Sequence, residues 1–360
     1  MRGESLSGPP PRRVGIRDVA ARAGVAISTV SKVFSGKGEV MPALRMRVLT
    51  AAAELGYRPN SVAQSLRRGA TDLIGFVASD LSEPFSAGIV AGAEYVLRPA
   101  GYALVVMSSN HDTSIDAANV RHLNSRRVDA LLISPSLEGD RGLLEALAEF
   151  DGPIVAIENE LRGPFGIDAI CADHRRGMRE AVDHLAGLGH RRIAALTGPS
   201  GRRSGRERAA GFVDAMRSLG LDREPRPIVT EHDADAAEAE VLRLLDGPSS
   251  PTAVIVGGVT MLTGTLRAID HRGLTPGEDI ALVGWDNGPL AEFFRPPIAV
   301  VDRDPHGLGA AAASLALRRL GHGGVRFEEP PGVEIRPVRF ISRRSAEIGI
   351  DHDLGGRAHG

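Results

Sequence analysis

Beyond residue 70, short runs of apolar residues alternate with stretches in which apolar positions recur every three or four residues. The runs are LIGFVA, ALVVM, ALLIS, IVAI, AICA, RIAALT, PIV, AVIV, IALVG and IAVV, and they read as strands buried on both faces. Helical patterns between them include Phe85–Ala100, Gly177–Leu188, Arg206–Leu219, Ala236–Leu245, Leu262–Arg272 and Leu308–Leu320. This alternation predicts an α/β body built on doubly wound parallel sheets. About 275 residues of it are too many for one such sheet, so two lobes with a cleft are expected, the break falling near Ala169–Asp173.

The pattern ahead of residue 70 is purely helical. IRDVAARAGVAISTVSKVF gives two short helices broken at Ala23-Gly24-Val25, with Val19 and Ala20 inward on the first and Val30 and Val33 on the second. A helix-turn-helix needs a small residue at the crossing, here Ala20. It needs a residue tolerating positive φ in the turn, here Gly24, and a branched apolar residue on the inner face, here Val30. Those three positions alone fit an ordinary αα-hairpin equally well. Pro42 to Leu55 adds a third helix, with Leu44, Val48, Ala52 and Leu55 on one stripe, Pro42 in the first turn and Gly56 as terminator. Three small helices make a head whose second helix can enter a major groove. Its outward residues Ile27, Ser28, Ser31 and Lys32 suit base edges and phosphates.

Charge separates the two regions. Between Arg12 and Arg68 eleven Lys/Arg face three carboxylates, a net of +8, so residues 69–360 carry −10 within a chain of net −2. A basic head on an acidic body points the head, and not the body, at a polyanion. Other chemistries are excluded by counting. Cys171 is the only cysteine, so neither a disulfide framework nor a Cys-rich metal site is expected, and no metal or cofactor is assigned. The only lysines, Lys32 and Lys37, stand in no Walker-type loop, and neither H-E-x-x-H nor G-x-S-x-G occurs. No apolar run approaches 18 residues, and MRGESLSGPPPRR has no apolar core of a secretory signal, so a soluble cytoplasmic protein without a membrane partner is expected.

Ligands of parallel sheets lie outside the carboxyl ends of the strands, so the polar groups just after each run are the candidates for a binding shell. Asp80 and Phe85 follow the first, Ser134 the third, Glu158 the fourth and Asp173 the fifth; Arg206 and Arg208 follow RIAALT, Asp286 and Asn287 follow IALVGW, and Asp302 and Arg303 follow IAVV. Singly, each fits a helix cap or solvated loop. As a set of carboxylates and arginines beside Phe85 and Trp285, they suit a polyhydroxylated ligand.

IRDVAARAGVAISTVSKV together with LGYRPNSVAQSLRRG resembles the DNA-binding head and hinge of the lactose-repressor/galactose-repressor (LacI/GalR) family. In the body, DLSEPF, GLGHRRIAALTGP, RERAAGF, GEDIALVGWDN and PPIAVVDRDPHGLG extend the resemblance nearly end to end. It implies a helix-turn-helix head (15–58) after a disordered tail (1–14), a hinge helix and linker (59–70), a periplasmic-binding-protein-like body (71–348) and a second tail (349–360). The implied lobes are about 71–171 plus 303–332, and about 172–302 plus 333–345. Ile27, Ser28 and Lys32 would then touch bases, and Thr29 and Ser31 phosphates. The hinge helix would begin at Asn60 and wedge Leu66 into the minor groove, a linker residue tucked against the body being the other role for Leu66. Arg208 and Asp286 would hold the effector, with Phe85 and Arg303 lining the pocket, while Ser134 and Asp173 rest on strand-end position alone.

Four departures bear on these roles. Ala26 and Met41 replace usual helix caps, each worth about 0.5–2 kcal/mol. Gly257-Gly258-Val259 stands where Asn-Asp is common, which predicts a smaller, less polar or differently oriented ligand. Asn287 replaces a second aspartate. The expected function is a homodimeric repressor of palindromic operator DNA, controlled by a small-molecule effector of the sugar or related class. A free-standing periplasmic-class sugar-binding protein would need a signal peptide and no basic head. A Rossmann-type enzyme is opposed because GPSGRRSG lacks G-x-G-x-x-G and no nucleophile–base set occurs; His174 and His306 read as surface or cap residues. DHDLGGRAHG has no heptads, so a tail-driven tetramer is not expected.

Overall fold

A computed structural model describes residues 14–35, 39–57, 70–163, 166–230, 233–324 and 329–348. The chain divides into two units, Met1–Thr71 and Asp72–Gly360. The first holds α1 (Ile16–Ala23), α2 (Ile27–Ser35) and α3 (Pro42–Glu54) around a core of Val19, Ala20, Ala23, Val30, Val33, Val48, Ala51 and Ala52. Gly24 ends α1 at φ 62°, a conformation that costs a glycine little and puts its N–H on Ala20 and Ala21 carbonyls. Met41 precedes α3 without a side-chain cap, and Pro42 starts the helix. Arg47 Nη2 donates to Ala23 O at 2.6 Å, tying α3 to the end of α1.

The second unit contains two sheets. β1 (Leu73–Ala78), β2 (Ala103–Ser108), β3 (Ala130–Ser134), β4 (Ile154–Ile157), β5 (Asp168–Ala172) and β10 (Val333–Arg336) form a parallel sheet in the order β10-β5-β4-β3-β1-β2. β6 (Ile193–Leu196), β7 (Ala253–Val256), β8 (Ala281–Trp285), β9 (Ala299–Asp302) and β11 (Arg339–Ile341) form the other, in the order β11-β9-β8-β7-β6, with only β11 antiparallel. Helices α4 (Pro84–Leu97) and α12 (Pro305–Arg319) cover one face of the first sheet, and α5 (Thr113–Ser125) and α6 (Arg141–Ala148) the other. On the second sheet, α7 (His174–Gly187) and α8 (Arg203–Ser218) lie on one face, and α9 (Ala234–Leu245) and α10 (Val259–His271) on the other. The short α11 (Pro289–Phe293) follows β8. No helix among the described residues is long and apolar enough to cross a membrane.

Three differences from the expected pattern have local causes. Several helices start two or three residues early, because their first turns are polar: Asp173, Asp233 and Asp304 accept from the N–H groups of Arg176, Ala236 and Gly307 before any apolar stripe begins. PIV is no strand; Ile228 makes a single bridge to Leu196. Residues 333–345 do not all belong to the second lobe as expected. Val333–Arg336 pairs with β5 at the edge of the first sheet, and only Arg339–Ile341 joins the second. β10 is exposed throughout, so no apolar run announced it. The chain thus passes between lobes after Ala172, after Asp302 and after Arg336, and Asp173 N–H donates to Arg336 O at 2.9 Å, joining the first and last passages.

Candidate functional site

On the head, α2 turns Val30 and Val33 inward and leaves Ile27, Ser28 and Lys32 exposed, with Thr29 and Ser31 half-buried beside them. Ile27 is 46% exposed, one of several large apolar side chains left on the surface. The five proposed contact residues therefore share the outward side of one helix. Asn60 and Leu66 lie outside the described residues.

In the body, a cavity opens between the lobes at the carboxyl ends of both sheets. Phe85, Ser134, Glu158, Asn159, Arg208, Gly257, Gly258, Val259, Asp286 and Arg303 are among its walls. At its centre Arg303 forms a forked pair with Asp286, Nε to Oδ1 at 2.6 Å and Nη2 to Oδ2 at 2.5 Å. Its remaining nitrogen, Nη1, donates to Glu158 Oε2 at 2.7 Å, and the guanidinium carbon lies 3.6 Å from the centroid of Phe85. Both carboxylates project from left-handed backbone, Glu158 at φ 63° and Asp286 at φ 70°. Non-glycine residues there carry strain that surrounding contacts must hold, and such strain concentrates at functional sites.

Glu158 also reaches the first passage between lobes: Oε1 accepts from Ala172 N–H at 2.5 Å, and Oε2 lies 2.7 Å from His174 Nε2. His174 stacks on Trp285 at 5.8 Å between centroids, and Arg208 sits 4.7 Å from the same indole. Arg208 Nη1 donates to Gly257 O at 2.5 Å. A Cβ at Gly257 would stand 2.9 Å from Leu196 O and 3.2 Å from Arg208 Nη1, so this approach needs glycine.

The electrostatics follow from burial and pairing. Burial works against ionisation of Glu158, but His174, Arg303 and the Ala172 N–H outweigh it and hold the carboxyl well below its ordinary range. Burial pushes His174 down to about 4, aided by Arg208 and Arg303 and opposed by Glu158, so the imidazole is neutral near pH 7. Burial also lowers Arg208 to about 9, with the like charge of Arg303 adding to it. Burial opposes the charge of Arg303 too, yet Asp286 and Glu158 raise its pKa above the usual value. Arg208 Nε, Trp285 Nε1, His174 Nδ1 and Asn159 Oδ1 are buried at or beside this cluster without a hydrogen-bond partner among the described residues.

Of the six effector residues expected, the structure brings Phe85, Ser134, Arg208, Asp286 and Arg303 to the cavity. Asp173 is not there: its carboxylate caps α7, accepting from Arg176 N–H at 3.0 Å. The residue just after a strand is also the residue just before a helix, and here the capping role wins. His174 is neither a surface residue nor a cap but fully buried at the start of α7. Glu158 stands out in the sequence only by strand-end position, and nothing in the local pattern marks Ser79, Glu83, Asn159, Arg202 or Ser204, which also line the cavity.

Residues 15–60 match the family model "Bacterial regulatory proteins, lacI family", and residues 182–346 match a periplasmic binding protein-like domain. The DNA-binding match disfavours a free-standing binding protein. The chain is 32% identical to the HTH-type transcriptional repressor PurR of Edwardsiella ictaluri over 336 residues, 93% of this chain and 97% of that one. A lac repressor dimer bound to operator and the anti-inducer ONPF aligns with TM-score 0.80 at 29% identity, covering 93% of this chain and 99% of that chain. A complex of the transcriptional regulator CelR with cellobiose aligns with TM-score 0.69 at 30% identity, covering 92% and 100%. With full-length similarity above 30% identity and a matching DNA-binding segment, the chain belongs to the lacI family of bacterial regulatory proteins.

Proposed function

We propose that this protein is a homodimeric transcriptional repressor whose grip on a palindromic operator is set by a small polar metabolite held in the cleft between its lobes. The observation that carries the reading is Arg208. It is a fully buried arginine on the cavity wall, with one nitrogen unpartnered among the described residues, facing a cleft that also holds Asp286 and Arg303. An arginine and a carboxylate can grip hydroxyl or carboxylate groups bidentately, which suits a sugar or a related metabolite. The CelR–cellobiose complex supports that class. Val259 puts an apolar side chain on the wall where a polar clamp is common, so one side of the effector is less polar than a free sugar. The cleft binds; it has no catalytic role. On the head, Ile27, Ser28 and Lys32 read bases, Thr29 and Ser31 hold phosphates, and Asn60 and Leu66 belong to the hinge.

The test begins with selection of the preferred duplex from genomic fragments by the full-length protein. A metabolite library is then screened for compounds that change affinity for that duplex. Arg208→Ala and Asp286→Ala should keep operator binding and lose about 2–5 kcal/mol of effector affinity, the cost of leaving a buried charged partner unmatched. Unchanged calorimetric affinity in both folded variants would displace the effector site.

A further inference from the structure

The cleft continues past the Arg303 ladder. A second cavity shares Phe85, Val259 and Asp286 with the first and adds Leu262, Leu290 and Pro305 to the wall. Phe85 and Pro305 stand in the first turns of α4 and α12, on the first lobe. Val259 and Leu262 stand in the first turn of α10, and Leu290 in α11, on the second. Each of these helices starts shortly after a strand, so their first turns meet at the carboxyl ends of the sheets. Gly257 and Gly258 carry no side chain, and Val259 is therefore the first side chain that β7 delivers to the cleft.

The two ends differ in what they offer a ligand. Asp286 and Asn287 are the polar side chains on the wall of the second cavity, and both are engaged elsewhere. Both carboxylate oxygens of Asp286 accept from Arg303. Asn287 Nδ2 donates to Glu292 Oε1 at 3.0 Å, and its Oδ1 accepts from Arg343 Nη2 at 2.7 Å. The other side chains there are apolar. The first cavity is the reverse: Ser79, Ser134, Asn159 and Ser204 line it with Arg208, whose Nε is buried without a partner among the described residues. A hydroxyl moved into the second cavity would lose water and find no side chain to bond, which is unfavourable. An apolar group placed there is favoured in proportion to the area it removes from water. Phe85 and Val259, on both walls, mark the changeover.

We propose that the second cavity is an aglycone subsite: the effector is a glycoside whose hydroxylated ring lies against Arg208 and whose apolar substituent, an aryl or branched alkyl group, lies between Phe85 and Pro305 of one lobe and Val259, Leu262 and Leu290 of the other. The proposal rests on the reading of the cleft as the effector site and adds what that site selects. A free sugar occupies the polar end alone and gains nothing from the apolar one. In the full-length protein, calorimetry compares methyl and phenyl glycosides of glucose, galactose and xylose in both anomers. The members of each pair differ only in the group they present to the apolar end.

For a sugar that binds, the phenyl member should bind about tenfold or more tightly than the methyl member, as a hydrophobic pocket discriminates by apolar size. Its heat-capacity change on binding should also be more negative, the mark of apolar burial. Val259→Thr keeps the shape but adds a hydroxyl without a partner, and should lower the phenyl preference about threefold or more. Leu290→Ser changes a residue of the apolar end alone, 37% exposed, so it preserves the test should Val259→Thr fail to fold. Three results overturn the subsite: no phenyl member binds, phenyl holds no advantage over methyl, or the advantage is unchanged in both folded variants. Failure of the effector assignment shows elsewhere. Arg208→Ala should weaken both members of a pair alike and keep their ratio, and unaltered affinities there would displace the effector site whatever the ratio does at Val259. An effector from the metabolite screen that carries no apolar substituent would keep the site and overturn only the subsite.

Discussion

In the head the buried core is Val and Ala alone, and Lys32 stands exposed on the same helix side as Ile27 and Ser28. In the body Glu158, Arg208 and Arg303 are buried to within 7% of complete, and Arg303 is committed to two carboxylates. The contrast teaches that the same residue types do different work in the two units. Surface cations cost little to maintain and lend themselves to phosphate contact. Buried ions are costly unless paired, so the cleft is held by its own electrostatics and a ligand must replace or rearrange existing pairs. Removing a charge should therefore damage folding in the body and binding in the head.

The largest expected effect is at Arg303. Arg303→Ala leaves Asp286 and Glu158 without the cation that pairs them, and a broken buried pair costs about 3–5 kcal/mol. Thermal or urea unfolding of the full chain should show that loss, with the head still able to bind DNA at low temperature. A loss below about 1 kcal/mol would mean that the ladder is a surface-like pair and the contrast false.

Acid should act next, through His174. Its folded pKa, about 4, lies below the ~6.5 of an unfolded histidine, so the unfolded chain binds the proton more strongly. The stabilisation is complete above about pH 6.5 and is lost as pH falls toward 4, on the order of 2 kcal/mol between pH 7 and 5. Glu158 shifts in the other window: its folded pKa is depressed, so its contribution survives to about pH 4.3 and disappears only below that. Melting temperature against pH should flatten between 7 and 5 in His174→Gln. A slope identical to wild type would show that the buried imidazole does not set it.

How far the two units could be read from the chain follows the same division. The head is local: Ala20, Gly24 and Val30 lie within eleven residues, and the structure finds Ala20 and Val30 buried and Gly24 left-handed, as the turn requires. The cleft is not. Arg303 meets Glu158 across 145 residues, and a left-handed Glu158 aims its carboxylate where no periodicity predicts. Asp173 was misplaced because strand ends and helix caps share one position. GPSGRRSG drew notice for its glycines, whereas its arginines tie the lobes together, and their partners Glu138 and Glu160 sit in loops without pattern.

Leu66 carries a smaller but more selective prediction. Leu66→Ala should weaken the preferred operator well beyond its effect on random duplex, since unstacking a base step belongs to site selection. DNA bending should decline with it while effector affinity without DNA stays constant. Equal losses on both duplexes would make Leu66 a packing residue of the linker.

The smallest effect separates the units most cleanly. Lys32 is exposed on α2, so Lys32→Ala should change unfolding free energy by no more than about 0.5 kcal/mol. Its loss should instead appear in the salt titration of operator binding. Each phosphate neutralised by a cation contributes about 0.9 to the slope of log affinity against log salt, because bound counterions are released. If Lys32 meets a phosphate, the slope should become shallower by about that amount on specific and random duplex alike. If it reads a base edge, affinity should fall on the preferred operator by about 1–3 kcal/mol while random duplex is little affected. The two results assign Lys32 between phosphate and base. A drop in melting temperature comparable to that of Arg303→Ala would instead show that the head, like the body, depends on its charges to fold.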